Sequence, residues 1–206
     1  MRKIERENSG CMKPGQDLVV AGYAGFAGTA EIVRQRYTEL TAWFSEGYLN
    51  RILVRDRNMC DSEWKDRDWK KYGATEVEPA GEGGIFAALW NLSGAYMTGI
   101  EFELRRIPVR QETIEICERY DLNPYRLDCG SEQCAERAGC RIEGCVLLVA
   151  DNGGHLVRAL KEDGIHAAVI GVVTDGIKRI IDNGEGKAYL TRPTEDEIYK
   201  ILEVRL

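Results

Sequence analysis

The sequence of 206 residues lacks an excess of basic charge. It has 28 lysines and arginines against 34 aspartates and glutamates, and the formal net charge at pH 7 is −6. Because proteins that bind nucleic acid need a basic face for the phosphates, this balance argues against a nucleic-acid partner. No apolar run approaches the roughly 18 to 20 residues that span a bilayer, and the N-terminal stretch MRKIERENSGCMKPG has no apolar signal segment. We therefore expect a cytoplasmic protein that has no membrane partner.

Common catalytic patterns are also missing. The sequence has two histidines, His155 and His166. It has no Ser–His–Asp order, no carboxylate pair in a known motif and no HExxH segment. His155 lies at a predicted helix start and His166 opens a predicted strand, so we interpret both as packing or hydrogen-bonding residues. A self-sufficient hydrolase is therefore not expected.

The remaining composition is that of an ordinary globular protein, with 44% hydrophobic and 30% charged residues. Apolar runs typical of strands alternate with helical patterns, which predicts an α/β or α+β fold with helices covering a mixed sheet. Without repeats or a linker, we expect one domain over residues 14–206, preceded by an arm over residues 1–13. The predicted elements include strands at 17–21, 74–77, 100–104, 145–150, 166–173, 177–181 and 188–190, and helices at 29–44, 45–57, 85–95, 111–120 and 153–163. A last helix begins at the capping box formed by Thr194 and Glu197.

The stretch 78–84 is the strongest candidate for a binding site. A predicted strand leads into Glu78-Pro-Ala-Gly81-Glu82-Gly83-Gly84, and a helix carrying Ile85 and Leu89 follows. The start of a helix presents free backbone N–H groups and the positive end of the helix dipole, which suit a phosphate or another anion. We take Glu78, Gly81, Glu82, Gly83 and Gly84 as candidate ligand-binding residues. The alternative is that the glycines only allow a tight turn and close packing.

A second glycine loop, residues 22–29, has the same order of strand, loop and helix. Its spacing is G-x-x-G-x-x-G, which differs from the dinucleotide fingerprint G-x-G-x-x-G. Gly25, Gly28 and Thr29 are the candidate ligand-binding residues here, and a purely structural turn is the alternative. Neither loop contains a lysine, so an anion would be held by backbone N–H groups, with Arg105 or Arg110 as candidate side-chain partners. Both arginines could equally be surface charges.

Seven cysteines form the third notable feature. In a reducing compartment they are expected as thiols, metal ligands or redox groups. Cys129, Cys134, Cys140 and Cys145 are spaced C-x4-C-x5-C-x4-C, the first three in an apparent insertion over 129–144 and the fourth at the start of the strand that follows. Four thiolates can bind Zn²⁺ or an iron–sulfur cluster. The alternatives are an exposed loop without a metal and, for Cys145, a place in the core of a strand.

Six segments in the same order carry a family resemblance. They are KPGQDLVVAGYAGFAGTAEI, FSEGYLNRIL, EGGIFAALWNLS, IPVRQETIEICERYDLNPYRL, GCVLLVADNGG and GIHAAVIGVVTDG. Together they resemble the C-terminal domain of the aminoimidazole ribonucleotide (AIR) synthase superfamily. The closest similarity is to hydrogenase-maturation dehydratases, with selenophosphate synthetase, thiamine-monophosphate kinase and formylglycinamidine ribonucleotide synthase as more distant relatives. The resemblance extends from Lys13 to the C-terminus.

The resemblance implies that proteins of this superfamily divide their functions between two domains. In this superfamily an N-terminal domain carries the acidic residues for Mg²⁺ and ATP, and we expect that domain to be missing here. The loop keeps the paired glycines Gly83 and Gly84, but its polar part differs from the usual Asp followed by Thr or Arg. The sequence also ends without the terminal cysteine of the maturation dehydratases.

Three functions follow as hypotheses. The first is a stand-alone domain that binds an anion or a phosphorylated small molecule, as a homo-oligomer or with a partner protein. The second is a metal or redox protein that uses the cysteine cluster. The third is an ATP-dependent enzyme of the superfamily that is completed by a separate subunit.

Overall fold

A seven-stranded mixed sheet forms the centre of the protein. The structure, a computed structural model, describes residues 10–60, 67–127, 145–193 and 195–201. The strands are β1 (Asp17–Gly22), β2 (Ala74–Pro79), β3 (Gly99–Glu103), β4 (Cys145–Ala150), β5 (Ala167–Thr174), β6 (Arg179–Asp182) and β7 (Lys187–Tyr189). Their spatial order is β2-β4-β1-β5-β3-β6-β7. All neighbouring pairs are antiparallel except β3 and β6, which run parallel.

Helices cover this sheet, as the predicted α/β fold requires. They are α1 (Phe26–Gln35), α2 (Tyr37–Leu40), α3 (Glu46–Cys60), α4 (Gly84–Tyr96), α5 (Gln111–Tyr120) and α6 (Gly153–Glu162). Short 3₁₀ turns occupy Trp69–Tyr72, Leu104–Arg106, Pro124–Arg126 and Glu197–Lys200. No helix in the described ranges is both long and apolar enough to cross a membrane. The mixed sheet and the helices that cover it confirm the predicted fold class.

Both faces of the central strands are buried, which explains their continuous apolar sequences. Leu18 and Val20 of β1 point into the core that α4 covers. Val19 and Ala21 point to the other face, where α6 and the Trp69–Tyr72 turn pack. All four side chains have no solvent exposure. Because successive side chains of a strand alternate between faces, a strand covered on both sides cannot show an apolar–polar alternation.

A further core lies between α1, α3 and α5. It contains Phe26, Ile32, Ile52 and Ile116, and it also receives Ile198 from the C-terminal 3₁₀ turn. On α5, Thr113, Ile116 and Cys117 are the buried residues. Cys117 therefore packs in this core, whereas Ile114 on the same helix is only half-buried. This core anchors the end of the described chain beside α1.

Several predicted boundaries were wrong. The helix predicted over 29–44 begins earlier, because Gly25 takes a left-handed conformation (φ 72°) from which the helix can start at Phe26. It is interrupted at Arg36, whose φ of −110° and ψ of 21° leave the helical range. The strand predicted from Ile177 begins at Arg179, after a turn at Gly176 with φ 81°.

The predicted terminal helix is instead a 3₁₀ turn over Glu197–Lys200. Its N-cap is Asp196, whose side chain accepts a hydrogen bond from the backbone N–H of Ile198. The predicted cap Thr194 lies outside the described residues. Asp and Thr both cap helices, so the pattern indicated a helix start here but placed it two residues too early.

Residues 10 and 11 contact one edge of the sheet. The backbone N–H of Cys11 donates to the carbonyl of Thr75 on β2 at 2.9 Å. The N–H of Gly10 donates to the buried carboxylate of Glu76 at 3.2 Å. Because β2 is an edge strand, the contact with Cys11 uses a backbone carbonyl that would otherwise be open to another strand.

Candidate functional site

The glycine loop, residues 78–84, connects β2 to the N-terminus of α4. Gly83 and Gly84 both have left-handed backbones, with φ of 82° and 64°. The N–H of Gly84 donates to the carbonyl of Gly81 at 2.9 Å, which closes the turn. A Cβ on Gly84 would lie 2.7 Å from the carbonyl oxygens of Tyr125 and Leu127. Conformation and close approach therefore both require glycine at this position.

The loop already binds an anionic oxygen. The N–H of Gly83 donates to the Oδ2 atom of Asp196 at 2.7 Å, and this hydrogen bond is buried. Asp196 is 3% exposed, and its Oδ1 accepts from the N–H of Ile198 at 2.9 Å. A carboxylate at a helix N-terminus is stabilised by the N–H groups and by the helix dipole. The Gly83 N–H is thus hydrogen-bonded to a carboxylate of the same chain, and ligand binding by the loop stays a prediction.

Other predicted residues of this loop take different roles. The Oε1 atom of Glu82 accepts a hydrogen bond from the hydroxyl of Tyr199 at 3.1 Å. Glu78 lies on β2, opposite Leu147 of β4, and is half-buried. The loop therefore contacts the C-terminal 3₁₀ turn through a backbone N–H and through an acidic side chain.

An open cleft of about 650 Å³ lies beside the start of α4. Its apolar part includes the rings of Phe86 and Tyr125, which stack with centroids 5.3 Å apart. Burial raises the pKa of Tyr125 above its ordinary value. The lining residues are Phe86, Leu104, Asp121, Leu122, Asn123, Pro124, Tyr125, Ile181, Asn183, Ala188, Glu197 and Lys200.

Two asparagines supply polar groups to this cleft. The side-chain oxygen of Asn123 accepts from the N–H of Tyr125 at 3.0 Å. That of Asn183 accepts from the N–H groups of Glu185 and Gly186, each at 2.9 Å. With their oxygens bound to the backbone, both side chains can offer their NH₂ groups to an acceptor. The cleft thus combines an aromatic wall with hydrogen-bond donors, which suits the organic part of a small polar ligand.

The second glycine loop packs against the same turn as the first. A Cβ on Gly25 would lie 2.7 Å from the carbonyl oxygen of Pro124. The hydroxyl of Thr29 donates to the carbonyl of Gly25 at 2.8 Å and lies 3.1 Å from the hydroxyl of Thr113. Gly28 and Thr29 are buried within α1. The structure thus brings both loops to the Pro124–Arg126 turn, where the second has the contacts of a close-packed helix start.

The two candidate arginines lie away from the first loop. The guanidinium of Arg110 stacks over Tyr23 at 3.8 Å, and Tyr23 in turn stacks on His166 at 4.7 Å. Arg105 lies against the turn between β6 and β7, since a Cβ on Gly184 would be 2.5 Å from its Cζ atom. Their described contacts give neither arginine a role in holding an anion at the first glycine loop.

The stack of Arg110, Tyr23 and His166 gives a measurable pKa effect. Burial and, secondarily, the nearby Arg110 charge lower the pKa of His166 below its ordinary value of 6.5. In the variant Arg110→Met we expect this pKa to rise, because the repelling charge is gone. An NMR titration of the imidazole signals measures it, with Arg119→Met, which removes a guanidinium stacked on Trp43, as the matched control. An unchanged His166 pKa in Arg110→Met would contradict the arrangement.

The cysteine cluster is only partly within the described residues. Cys129, Cys134 and Cys140 lie outside them, and Cys145 is fully buried as the first residue of β4. Elsewhere, burial and the neighbouring Glu197 raise the pKa of the Cys117 thiol to about 12. Within the described ranges, no group of three or more His, Cys, Asp or Glu side chains could hold a metal. Binding of Zn or an iron–sulfur cluster at these four cysteines therefore stays a prediction.

Thiol labelling with and without a chelator tests that prediction. Cys11 is exposed, so we expect rapid alkylation of its thiol in the native protein. Cys117 and Cys145 are buried and should react only in denaturant. If a metal is bound, the chelator should accelerate labelling of Cys129, Cys134 and Cys140, as peptide mass spectrometry can show. Chelator-independent labelling together with an absence of stoichiometric Zn or Fe in elemental analysis would contradict the metal site.

Sequence reasoning missed the residues that complete the site. Asp196 lies 113 positions from Gly83, and only its place before a helical turn could have marked it as an N-cap. Tyr125 and Asn123 were not among the predicted site residues either. Phe86 lies two positions after Gly84, but it was not among the predicted site residues. Only the three-dimensional arrangement assigns these side chains to one place.

Solved structures provide the comparison with known proteins. No protein-family model and no curated protein matches the sequence. The hydrogenase maturation protein HypE from E. coli matches with a TM-score of 0.63 and 18% identity, over 93% of this chain and 54% of that chain. A HypE–HypF complex matches with a TM-score of 0.60 and 19% identity, over 88% and 54%. Thiamine-monophosphate kinase (ThiL) from Aquifex aeolicus matches with a TM-score of 0.53 and 18% identity, over 83% and 51%.

These matches confirm the resemblance at the level of the fold. The chain spans about half the length of each of these neighbours. HypE and ThiL are both members of the AIR synthase-like superfamily. The chain therefore has the AIR synthase-like fold that hydrogenase maturation protein HypE and thiamine-monophosphate kinase share.

Proposed function

We propose that this chain is a ligand-binding domain that takes a phosphorylated small molecule at the glycine loop, residues 78–84. The observation that carries the proposal is the buried hydrogen bond from the Gly83 N–H to the carboxylate of Asp196. A phosphate oxygen, like a carboxylate oxygen, carries negative charge and accepts hydrogen bonds from N–H donors. The neighbouring cleft would receive the organic part of the ligand against Phe86 and Tyr125.

The ligands of similar structures support the choice of a phosphorylated molecule. One HypE structure, 15% identical over 90% of this chain, was solved in complex with ATP. AaThiL, 15% identical over 86% of this chain, was solved with AMPPCP and TMP. Identities this low bear on the fold alone, so the ligand class remains our proposal. An ATP-dependent enzyme completed by a separate subunit is a second form of this proposal.

A change in melting temperature tests the proposal. We expect inorganic phosphate to raise Tm saturably, because a ligand that binds only the folded state stabilises it by mass action. ATP with Mg²⁺ should raise Tm further if the chain also handles a nucleotide. Potassium chloride at equal ionic strength is the control for screening. Equal Tm values in phosphate and chloride would contradict binding at the glycine loop.

We also propose that the domain works as a homo-oligomer or with a partner protein. The neighbours are about twice as long as this chain, and one of them was solved as a HypE–HypF complex. Among the described residues, Trp43, Val54 and Tyr189 are large apolar side chains with more than half of their surface exposed. Light scattering coupled to size-exclusion chromatography should show a dimer or a larger species. A monomer at micromolar concentration would contradict the homo-oligomer and leave only a complex with a partner protein.

A further inference from the structure

The C-terminal strap, which we define as residues 195–201, lies over the glycine loop. Asp196 accepts the N–H of Gly83, and the Tyr199 hydroxyl donates to Glu82. Within the strap, the Oδ1 atom of Asp196 caps the 3₁₀ turn by accepting the N–H of Ile198 at 2.9 Å. One carboxylate therefore joins the strap to the start of α4 and also organises the strap itself.

Other contacts hold the strap in place without involving the loop. Ile198 is 4% exposed and packs into the core between α1, α3 and α5. The guanidinium of Arg36 donates to the carbonyl of Ile201 at 2.7 Å. The N–H of Asn123 donates to the carboxylate of Glu197 at 3.2 Å. The strap is thus a docked segment with its own hydrophobic anchor.

We propose that the C-terminal strap is an internal latch: Asp196 occupies the anion position of the glycine loop, and a phosphate must displace it to bind. This inference rests on the proposed function and adds its regulation. The exchange is non-covalent, since the hydrogen bond from Gly83 to the carboxylate is broken and one from Gly83 to a phosphate oxygen forms. The two anions exclude each other, because like charges in contact repel strongly in a buried place.

Displacement of the strap would also widen the cleft. Glu197 and Lys200 belong to the strap and form part of the cleft wall. They pair with each other in the docked state. When Asp196 leaves the loop, these two side chains move with the same turn, so the anion position and the cleft become accessible together. The apparent affinity for a phosphorylated ligand is therefore the intrinsic affinity multiplied by the fraction of molecules in which the strap is undocked.

Calorimetric titration of inorganic phosphate into variants of the full chain tests the latch. Asp196→Ala removes the internal anion, and we expect its Kd for phosphate to be lower than that of the wild type by about tenfold or more. Asp196→Asn keeps an acceptor for the N–H of Ile198 but removes the charge, so its affinity should also rise. Asp163→Ala is the matched control, because this carboxylate lies at the end of α6 and pairs with Tyr72 on the other face of the sheet.

A variant that leaves the carboxylate intact gives an independent test. Ile198→Ala weakens the hydrophobic anchor of the strap, and it too should tighten phosphate binding. Circular dichroism checks that each variant stays folded. Wild-type affinity in both Asp196→Asn and Ile198→Ala would overturn the latch while leaving phosphate binding established. If neither the wild type nor any folded variant binds phosphate, the proposed function fails together with the latch.

Discussion

Gly84→Ala is expected to lower the free energy of unfolding by about 3 kcal/mol, among the larger effects of a single substitution. Two causes add at this position. The left-handed backbone, with φ of 64°, costs a residue with a Cβ about 1 kcal/mol or more. The added Cβ would also lie 2.7 Å from the carbonyl oxygens of Tyr125 and Leu127, which are backbone atoms and cannot rotate away.

Gly81→Ala is the matched control within the same loop. Gly81 has no positive φ, and a Cβ there would meet no atom within 4 Å. We expect a change of only about 0.5 kcal/mol, of either sign. Urea unfolding followed by fluorescence measures both variants. Equal stabilities of the two variants would mean that the loop does not approach the turn after Pro124 as closely as described.

Phe86→Ala is the second substitution with a large expected effect. The ring is 6% exposed, stacks on Tyr125 at 5.3 Å and meets Phe102 edge-on at 6.2 Å. Its removal leaves a cavity in the core under α4, which costs about 3 to 5 kcal/mol. Because Phe86 also lines the cleft, binding of an organic phosphate such as ATP should weaken more than binding of inorganic phosphate.

Two controls separate packing from ligand contact. Phe86→Leu keeps most of the buried volume, so its loss of stability should be about 1 kcal/mol. Trp43→Ala removes a larger ring that is 59% exposed and should cost much less than Phe86→Ala. Denaturant unfolding gives the stabilities, and titration gives the two affinities. A parallel loss of affinity for ATP and for inorganic phosphate would contradict a role of the cleft in binding the organic part.

The sequence predicted the fold well where the apolar pattern was long. Strand β4 and helix α5 have the predicted bounds, because Cys145–Ala150 is a continuous apolar run and Gln111–Tyr120 has a regular amphipathic pattern. The break at Arg36 was missed because it depends on backbone angles that residue type does not fix. Local patterns therefore predicted the elements, and tertiary packing decided their ends.

Of the candidate site, only the glycine loop was predictable from the sequence. The paired glycines at 83 and 84, placed between a strand and a helix, predicted a candidate anion site, with a purely structural turn as the alternative. The carboxylate that accepts the Gly83 N–H belongs to Asp196, far along the chain. No short motif indicated that these two residues pair. Contacts between distant segments are set by the packing of whole elements. The place of Tyr125 and Asn123 in the cleft therefore could not be predicted from the sequence either.

Backbone amide shifts of Gly83 and Gly84 during a phosphate titration test the central claim most directly. A ¹H–¹⁵N NMR spectrum of the full chain reports each amide separately and needs no substitution. We expect the Gly83 and Gly84 signals to move saturably with phosphate, together with the Ile198 signal, because Asp196 bonds both Gly83 and Ile198. Saturable shifts confined to other residues, or no shifts beyond those in matched potassium chloride, would contradict an anion site at the glycine loop.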